Sequence, residues 1–446
     1  MESWGTHLRA SFALGIPLVG SQLGLMLMNT TDTVMLGWYG VEELAASVLA
    51  TQVYFVVMIF GAGICQAVMP MAAQAEGEGD QRMVRRVVRM GFWISIAYAF
   101  LTMPLFFLGE KILLLLGQEP RISALAGEYL FIAAWAMYPT LMSFALRSFL
   151  TAIQRAQIIL WSTLGAALAN VVINYMLIFG NWGAPELGIR GAAIATLLVN
   201  VLMFIAMALY VVGREETRRY DIFARFWRAD WAAFFSVLKV GLPIGITILA
   251  EVGMFIFASI MVGWLGVIPL AAHGIALQLA SLAFMVPLGM SQVATVRVSN
   301  AYGKSDPANL WRAANAVMII AIAFAVSSAL LFLLMPQTLI GLFLDESKES
   351  VLDVLAYAVP LLFVAAVFQL VDSTQAVAVA QLRGLKDTKV PMAIAVFAYW
   401  CVGLGTAYIL GIWYGLGGVG VWTGLAFGLA VAAVLLSSRF LLIRPR

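Results

Sequence analysis

The chain has 446 residues, 63% hydrophobic and only 11% charged, with a formal net charge of +3. Its mean hydropathy is +0.96. A soluble domain carries roughly a quarter charged residues, so composition excludes an ordinary soluble enzyme and identifies a membrane protein.

A membrane helix needs about 20 apolar residues. Runs of that length predict twelve spans, near 12–37, 44–74, 88–108, 123–146, 157–180, 188–212, 236–262, 268–297, 313–335, 353–381, 390–412 and 416–438. A closed barrel would instead show alternating segments of roughly ten residues; here the runs are continuous and twice as long. The predicted fold class is therefore an all-α membrane protein.

The opening "MESWGTHLRASFALG" runs into the first span without a small-residue cleavage site, and is expected to be a retained helix rather than a signal peptide. That span carries Asp32 as its only formal charge from Ser11 to Trp38. A carboxylate at bilayer depth costs roughly 2.5–3.5 kcal/mol on insertion scales, so a compensating role is expected. Cys65 lies in the second span and Cys401 in the eleventh, where a thiol is ordinarily a small hydrophobe. In the fourth span Glu128 falls near the outer end and reads as interfacial. The fifth carries Asn170 and Asn174, four residues apart and hence on one helical face, and the sixth offers Thr196.

The longest polar connection follows, from Gly213 to Trp231, too short to hold a domain. Its "YDIFARFWRADW" spaces Phe223, Phe226, Trp227 and Trp231 along one helical face, which reads as an amphipathic helix at the cytoplasmic interface or, alternatively, as a plain tether. Beyond it the seventh span carries Glu251 and the tenth Asp372, four residues after Phe368. In the last span Gly420, Gly424 and Gly428 recur at intervals of four, a helix-packing ladder rather than a nucleotide loop, since no strand precedes them. His273 has no second His or Cys at ligand spacing, and the other histidine is His7, so neither zinc nor haem is expected.

With the N-terminus inside, 22 of the 26 Lys and Arg residues fall on cytoplasmic segments or helix ends; Lys111, Arg121, Arg190 and Lys348 fall outside. By the positive-inside rule this places both termini in the cytoplasm and supports an even number of spans. The basic face is topology, and no nucleic-acid partner is expected.

Sliding the chain on itself by 226 residues pairs Gly15 with Gly241, Pro17 with Pro243, Trp38 with Trp264, Gln66 with Gln292, Gly77 with Gly303 and Arg86 with Arg312. Chance similarity of apolar sequences explains aligned Leu and Val, not aligned Gly, Pro, Trp and Gln. The expected organisation is an amino-terminal six-helix lobe over 1–212, a linker over 213–235 and a carboxy-terminal six-helix lobe over 236–446. The lobes should be related by a pseudo-two-fold along the membrane normal, with a ligand site at their interface.

The acids are not repeated. Glu251 aligns with Leu25, Asp32 with Ala258, and Asp372 has no acidic counterpart in 140–146. None of their spans carries a basic residue near its middle, and all three are expected to face the lobe interface. Such groups suit a proton relay, a Na+ site or a counter-charge for a cation. Oxygens of Asp32, Asn170, Asn174 and Thr196 suit a hard monovalent cation, since Mg2+ or Ca2+ would want more carboxylates. Phe368 sets an aromatic face beside Asp372 for a cationic guest, or simply packs.

Together "DTVMLGWYG", "NVVINYMLIFGNWGAPELGIRGAAIAT", "LPIGITILAEV", "PLAAHGIALQLASLAFMVPLG" and "DSTQAVAVAQLRGLKDTKVP" resemble the multidrug and toxic compound extrusion (MATE) family, of the NorM type, over nearly the whole chain. The resemblance implies a twelve-helix antiporter in the bacterial plasma membrane, acting as a monomer. It would expel cationic or amphipathic compounds against inward Na+ or H+, with no cofactor beyond the coupling ion. It implies ion coupling at Asp32, Asn170, Asn174, Thr196, Glu251 and Asp372. It also implies substrate contacts at Glu251, Asp372 and Phe368, and a Na+ site at either acid cluster. Two departures stand out: Gly274 replaces the glutamine common after "AAH", and "GLG" at 403–405 replaces "GLP", which leaves a kink there open. A lipid-linked-sugar flippase of the same superfamily is the nearest alternative, but should carry buried arginine in its cavity, and no span here is expected to bury one. A membrane-embedded enzyme would need a nucleophile–base set or a metal cluster, for which two histidines with no partner motif give little support.

Overall fold

The computed structural model describes residues 4–344 and 351–443. Lys348, Arg444 and Arg446, counted above toward topology, lie outside the described residues. Among these residues, twelve helices are long and apolar enough to cross a membrane. They are α1 Trp4–Tyr39, α2 Val41–Gly77, α3 Gln81–Phe107, α4 Pro120–Ala152, α5 Ala156–Phe179, α6 Ile189–Gly213, α7 Trp231–Gly263, α8 Val267–Gly303, α9 Pro307–Leu334, α10 Val351–Gly384, α11 Lys389–Trp413 and α12 Gly417–Leu442. Each contains or closely overlaps one expected span. Several helices outrun their apolar run, because a helix continues past the hydrocarbon wherever its ends find caps or partners.

The internal repeat reappears as local structure. The pairs α2 and α8, and α3 and α9, begin 226 residues apart. Asp80 and Asp306, also 226 apart, both cap the following helix by accepting from the backbone N–H three residues on, Met83 at 2.9 Å and Asn309 at 3.0 Å. Such caps satisfy otherwise orphaned donors of the first turn. At the opposite ends of the same helix pairs, Gly266 precedes α8 with φ +120, a conformation open only to glycine, whereas its repeat partner Gly40 is extended.

By internal contacts the chain divides into two compact units, Gly20–Gly245 and Met1–Val19 with Ile246–Arg446. The opening turns of α1 and α7 are thus exchanged relative to a division at the linker. The reason is close packing at repeated glycines: a Cβ on Gly15 would strike Met290 of α8, and one on Gly241 would strike the Ile64 backbone of α2.

In the Gly20–Gly245 unit α4 is the central helix, packed on α2, α3 and α6, while α5 packs on α6. Arg147 is buried in α4, where Nη2 donates to Ser21 Oγ at 3.1 Å and the guanidinium lies 6.0 Å from the Phe144 ring. Arg89 is buried in α3. The expectation that no span buries an arginine is therefore corrected: both lie within about three turns of a helix end, where a long side chain can fold inward. In the other unit α10 takes the place of α4, packed on α8, α9 and α12. The glycine ladder brings α12 against α11; a Cβ on Gly428 would lie 2.5 Å from Gly403 Cα and 2.7 Å from Ala398 O. Helix α11 lacks a proline at 405, yet its winding loosens to π-helical turns over Phe397–Leu404 and Ile409–Trp413.

The linker is not the expected amphipathic helix. Only Glu215–Arg218 is helical, and residues 221–230 form turns over 222–227 and irregular chain beyond, with positive φ at Asp221 and Arg225. Phe223 and Phe226 turn inward and stack on Phe92 and Trp93 of α3, whereas Trp227 and Trp231 stay exposed. Asp230 clamps the segment to α3 through Arg86, at 2.5 and 3.1 Å, and this guanidinium holds the carboxyl below the usual carboxylate range.

Candidate functional site

Two polar clusters lie among the membrane helices, one in each unit. In the first, Asp32 is reached from α5, whose Asn170 and Asn174 share a face as their spacing predicts. Both amides donate to Asp32 Oδ1, at 2.9 and 2.5 Å. The arrangement is a carboxylate held by two N–H donors from one helix, and no cation sits in its hydrogen-bond circle. Hydrogen bonds to a charged acceptor are the strong kind.

Both asparagines are buried, and the amide oxygens Asn170 Oδ1 and Asn174 Oδ1 have no hydrogen-bond partner. Buried acceptors left unpartnered are unusual in a native protein and point to a strained or working site. Rotation of either amide would exchange a donor toward Asp32 for an acceptor. The same three side chains can therefore hold a bare carboxylate or present oxygens to a hard cation. Thr196 does not touch Asp32 directly. Its hydroxyl donates to Ala192 O at 3.0 Å and hydrogen-bonds Tyr129 of α4, whose ring hydroxyl feels the charge of Asp32. The sequence reading missed Tyr129, because one tyrosine in an apolar helix carries no signal of its own.

The second cluster joins α7, α8, α10, α11 and α12. Glu251 of α7 is half-buried and Asp372 of α10 is buried, and each feels the other's charge. Asp372 Oδ1 accepts a long contact of 3.5 Å from Gln375 Nε2, and Gln375 Oε1 accepts from Tyr399 of α11 at 2.8 Å. Arg383, one residue from the end of α10, acts electrostatically on Glu251. So Glu251 has a basic neighbour after all, supplied by another helix rather than its own. Tyr399 and Arg383 were overlooked in the sequence because their partners lie on separate helices, whereas Gln375, three residues after Asp372 on α10, was within reach of helical spacing and was missed.

Phe368 is buried, with T-shaped ring contacts to Phe255 at 6.0 Å and to Trp422 at 5.3 Å, the surroundings that its packing alternative expects. Beside it His273 is locked in one tautomer. Trp422 Nε1, a donor only, gives its hydrogen to His273 Nδ1 at 3.0 Å. Nε2 therefore carries the proton and donates to Ser259 Oγ at 2.8 Å, which in turn donates to Phe255 O. One residue on, a Cβ at Gly274 would meet open space. Glu128, nine residues into α4, is held in an exposed bidentate pair by Arg190 at 2.8 and 2.9 Å.

Comparison with known proteins agrees with this architecture. The MatE family model matches residues 17–176 and 243–409, two stretches whose starts are again 226 apart. The probable multidrug resistance protein NorM of Rhizobium meliloti is 50% identical over 98% of this chain and 94% of its own length. Its namesake from Agrobacterium fabrum is 50% identical over 100% and 96%. Among solved structures, the eukaryotic MATE transporter AtDTX14 superposes with a TM-score of 0.88 at 19% identity, covering 100% of this chain and 97% of its own. An outward-facing multidrug resistance MATE transporter of the MOP superfamily gives 0.89 at 21%, covering 98% and 95%. The chain belongs to the MATE family of membrane transporters. It is a multi-pass membrane protein and a transporter, not an enzyme.

Proposed function

We propose that this chain exports cationic or amphipathic compounds from a bacterial cell by antiport with Na+ or H+, through alternating access, across the plasma membrane. Both termini are cytoplasmic in this reading, and the carrier works as a monomer of two six-helix lobes. The observation that carries the proposal is the Asp32 site: a carboxylate among apolar helices, served by two amides whose own oxygens are unpartnered. A site so built binds a small cation or a proton, and a structural hydrogen bond would not need two unpartnered amide oxygens beside it.

In this mechanism Asp32 is the coupling residue, with Asn170 and Asn174 as its direct ligands and Thr196 acting through Tyr129. Occupancy by the ion changes the hydrogen bonding between α1 and α5. A ligand moves a conformational equilibrium only through different affinity for the two states, and the donor-or-acceptor choice of the amides supplies that difference. Glu251 and Asp372 are the second coupling pair and the counter-charge for a cationic substrate, with Arg383 as the internal cation that a substrate or ion displaces. The names of the Rhizobium and Agrobacterium relatives support a multidrug substrate range. The test is dye efflux from energised vesicles: a carrier stops when an uncoupler or sodium removal collapses the gradient, and a passive channel does not concentrate dye at all.

A further inference from the structure

We propose that the linker turns and the first turns of α3 form a binding site for the phosphodiester headgroup of an anionic phospholipid. The site is made by Arg85, Arg86 and Arg89 of α3 together with Arg228 of the linker. Arg85, Arg86 and Arg228 lie close enough to Arg89 to repel its charge. The carboxylates acting on this group are Asp230, which pairs with Arg86 and lies 3.9 Å from Arg89, and Asp80, which acts on Arg86. Four guanidinium groups against two carboxylates leave an excess of two positive charges.

The second observation concerns Arg89 itself. It is 6% exposed, yet its Nε has no acceptor. Its other contacts are weak: Nη1 to Arg225 O at 3.3 Å and Nη2 to Asp230 at 3.9 Å. A buried guanidinium brings five donors in a fixed fork, so this one is under-used as it stands. Phosphate oxygens match such a fork.

The setting selects a lipid over a free anion. The cluster spans the first two to three turns of α3, about 12 Å at 1.5 Å per residue, and so sits at headgroup depth where a 30 Å hydrocarbon core begins. Trp227 and Trp231, 80% and 65% exposed, flank Arg228 and Asp230. Indole rings of this kind settle at the headgroup level. Phe223 and Phe226 fix the linker on α3, so the arginines are held in place rather than carried on a mobile tether. Clustered Arg beside a membrane helix attracts anionic lipid.

The experiment is native mass spectrometry of the full chain purified in neutral detergent and titrated with phosphatidylglycerol, phosphatidylcholine or inorganic phosphate. Phosphatidylglycerol should bind saturably and phosphatidylcholine should not; inorganic phosphate at equal concentration should not compete. The double variant Arg85→Gln/Arg228→Gln should weaken phosphatidylglycerol binding at least tenfold, and Lys304→Gln, an exposed charge on the repeat-related helix end, should leave it unchanged. Arg228→Gln alone, on the exposed linker, should weaken it several-fold without changing the lipid-free melting temperature, which keeps the test decisive if the double variant fails to fold. Wild-type binding by Arg228→Gln overturns the site. Equal loss in Lys304→Gln reduces it to general surface charge, and phosphate competing as well as lipid makes it a free-anion site; both overturn the proposal.

Discussion

Replacing Asp32 separates stability from coupling. Its Oδ1 accepts from two buried amides at 2.9 and 2.5 Å. Hydrogen bonds to a charged acceptor contribute roughly 1.5–3 kcal/mol each and neutral ones about 0.5–1.5. Asp32→Asn therefore loses about 2–3 kcal/mol over the pair, and relief from holding a charge away from water offsets much of that. Asp32→Ala removes the acceptor altogether and strands two more amide groups beside oxygens already unpartnered, costing about 2–6 kcal/mol. The alanine variant should thus melt clearly below the asparagine variant. Efflux should be lost equally in both. One coupled monovalent cation sustains a tenfold substrate gradient for each tenfold ion gradient, about 1.4 kcal/mol; without a titratable or chargeable group at 32 that figure falls to zero. The assay pairs melting temperature and equilibrium dye binding of purified protein with gradient-driven efflux in vesicles clamped at zero membrane potential. Uphill efflux by Asp32→Asn at the wild-type ratio would refute the coupling role. Loss of dye binding in a variant that folds normally would make Asp32 a substrate ligand instead.

Glu251→Gln and Asp372→Asn should each lower export of cationic dyes while membrane insertion stays normal; wild-type rates in both would leave these acids structural. Gly428→Leu should lower stability by about 1–3 kcal/mol, an overpacking cost, because the new side chain meets the backbone of Gly403 and Ala398 rather than a movable side chain; unchanged melting would sink the tight α11–α12 contact. The Asp230 carboxyl sits below its ordinary range because Arg86 bonds its ionised form. Its stabilisation is therefore present above the unfolded value near 3.9 and fades as pH falls through the lower folded value. Protease cleavage of the linker should accordingly rise only in strong acid for the wild type but at neutral pH for Asp230→Asn, by the modest margin of a half-buried, solvent-screened pair.

The spans were legible because lipid imposes a continuous apolar run, and the repeat because Gly, Pro, Trp and Gln do not align by accident. The Asp32 cluster was half legible: i,i+4 spacing placed Asn170 and Asn174 on one face, but Thr196 hydrogen-bonds Tyr129 rather than Asp32, and no local pattern marks that tyrosine. Arg383 illustrates the general limit. It lies eleven residues beyond Asp372 at what reads as a helix end, and its influence on Glu251 arises only when α7 and α10 pack. Phe368 shows the complementary limit, since adjacency to Asp372 along a helix does not say that Phe255 of α7 and Trp422 of α12 will pack against the ring. The linker's aromatic spacing suggested a helix, but the positive φ values at Asp221 and Arg225 turn the chain and send Phe223 and Phe226 inward.

The central claim is antiport, and it is tested most directly by reconstituting the wild-type protein in vesicles with a pH gradient and a sodium gradient imposed separately. At least one gradient alone should drive a cationic dye uphill, reversing direction when that gradient is reversed. Dye movement that never exceeds equilibration, or that ignores both gradients, would contradict the account.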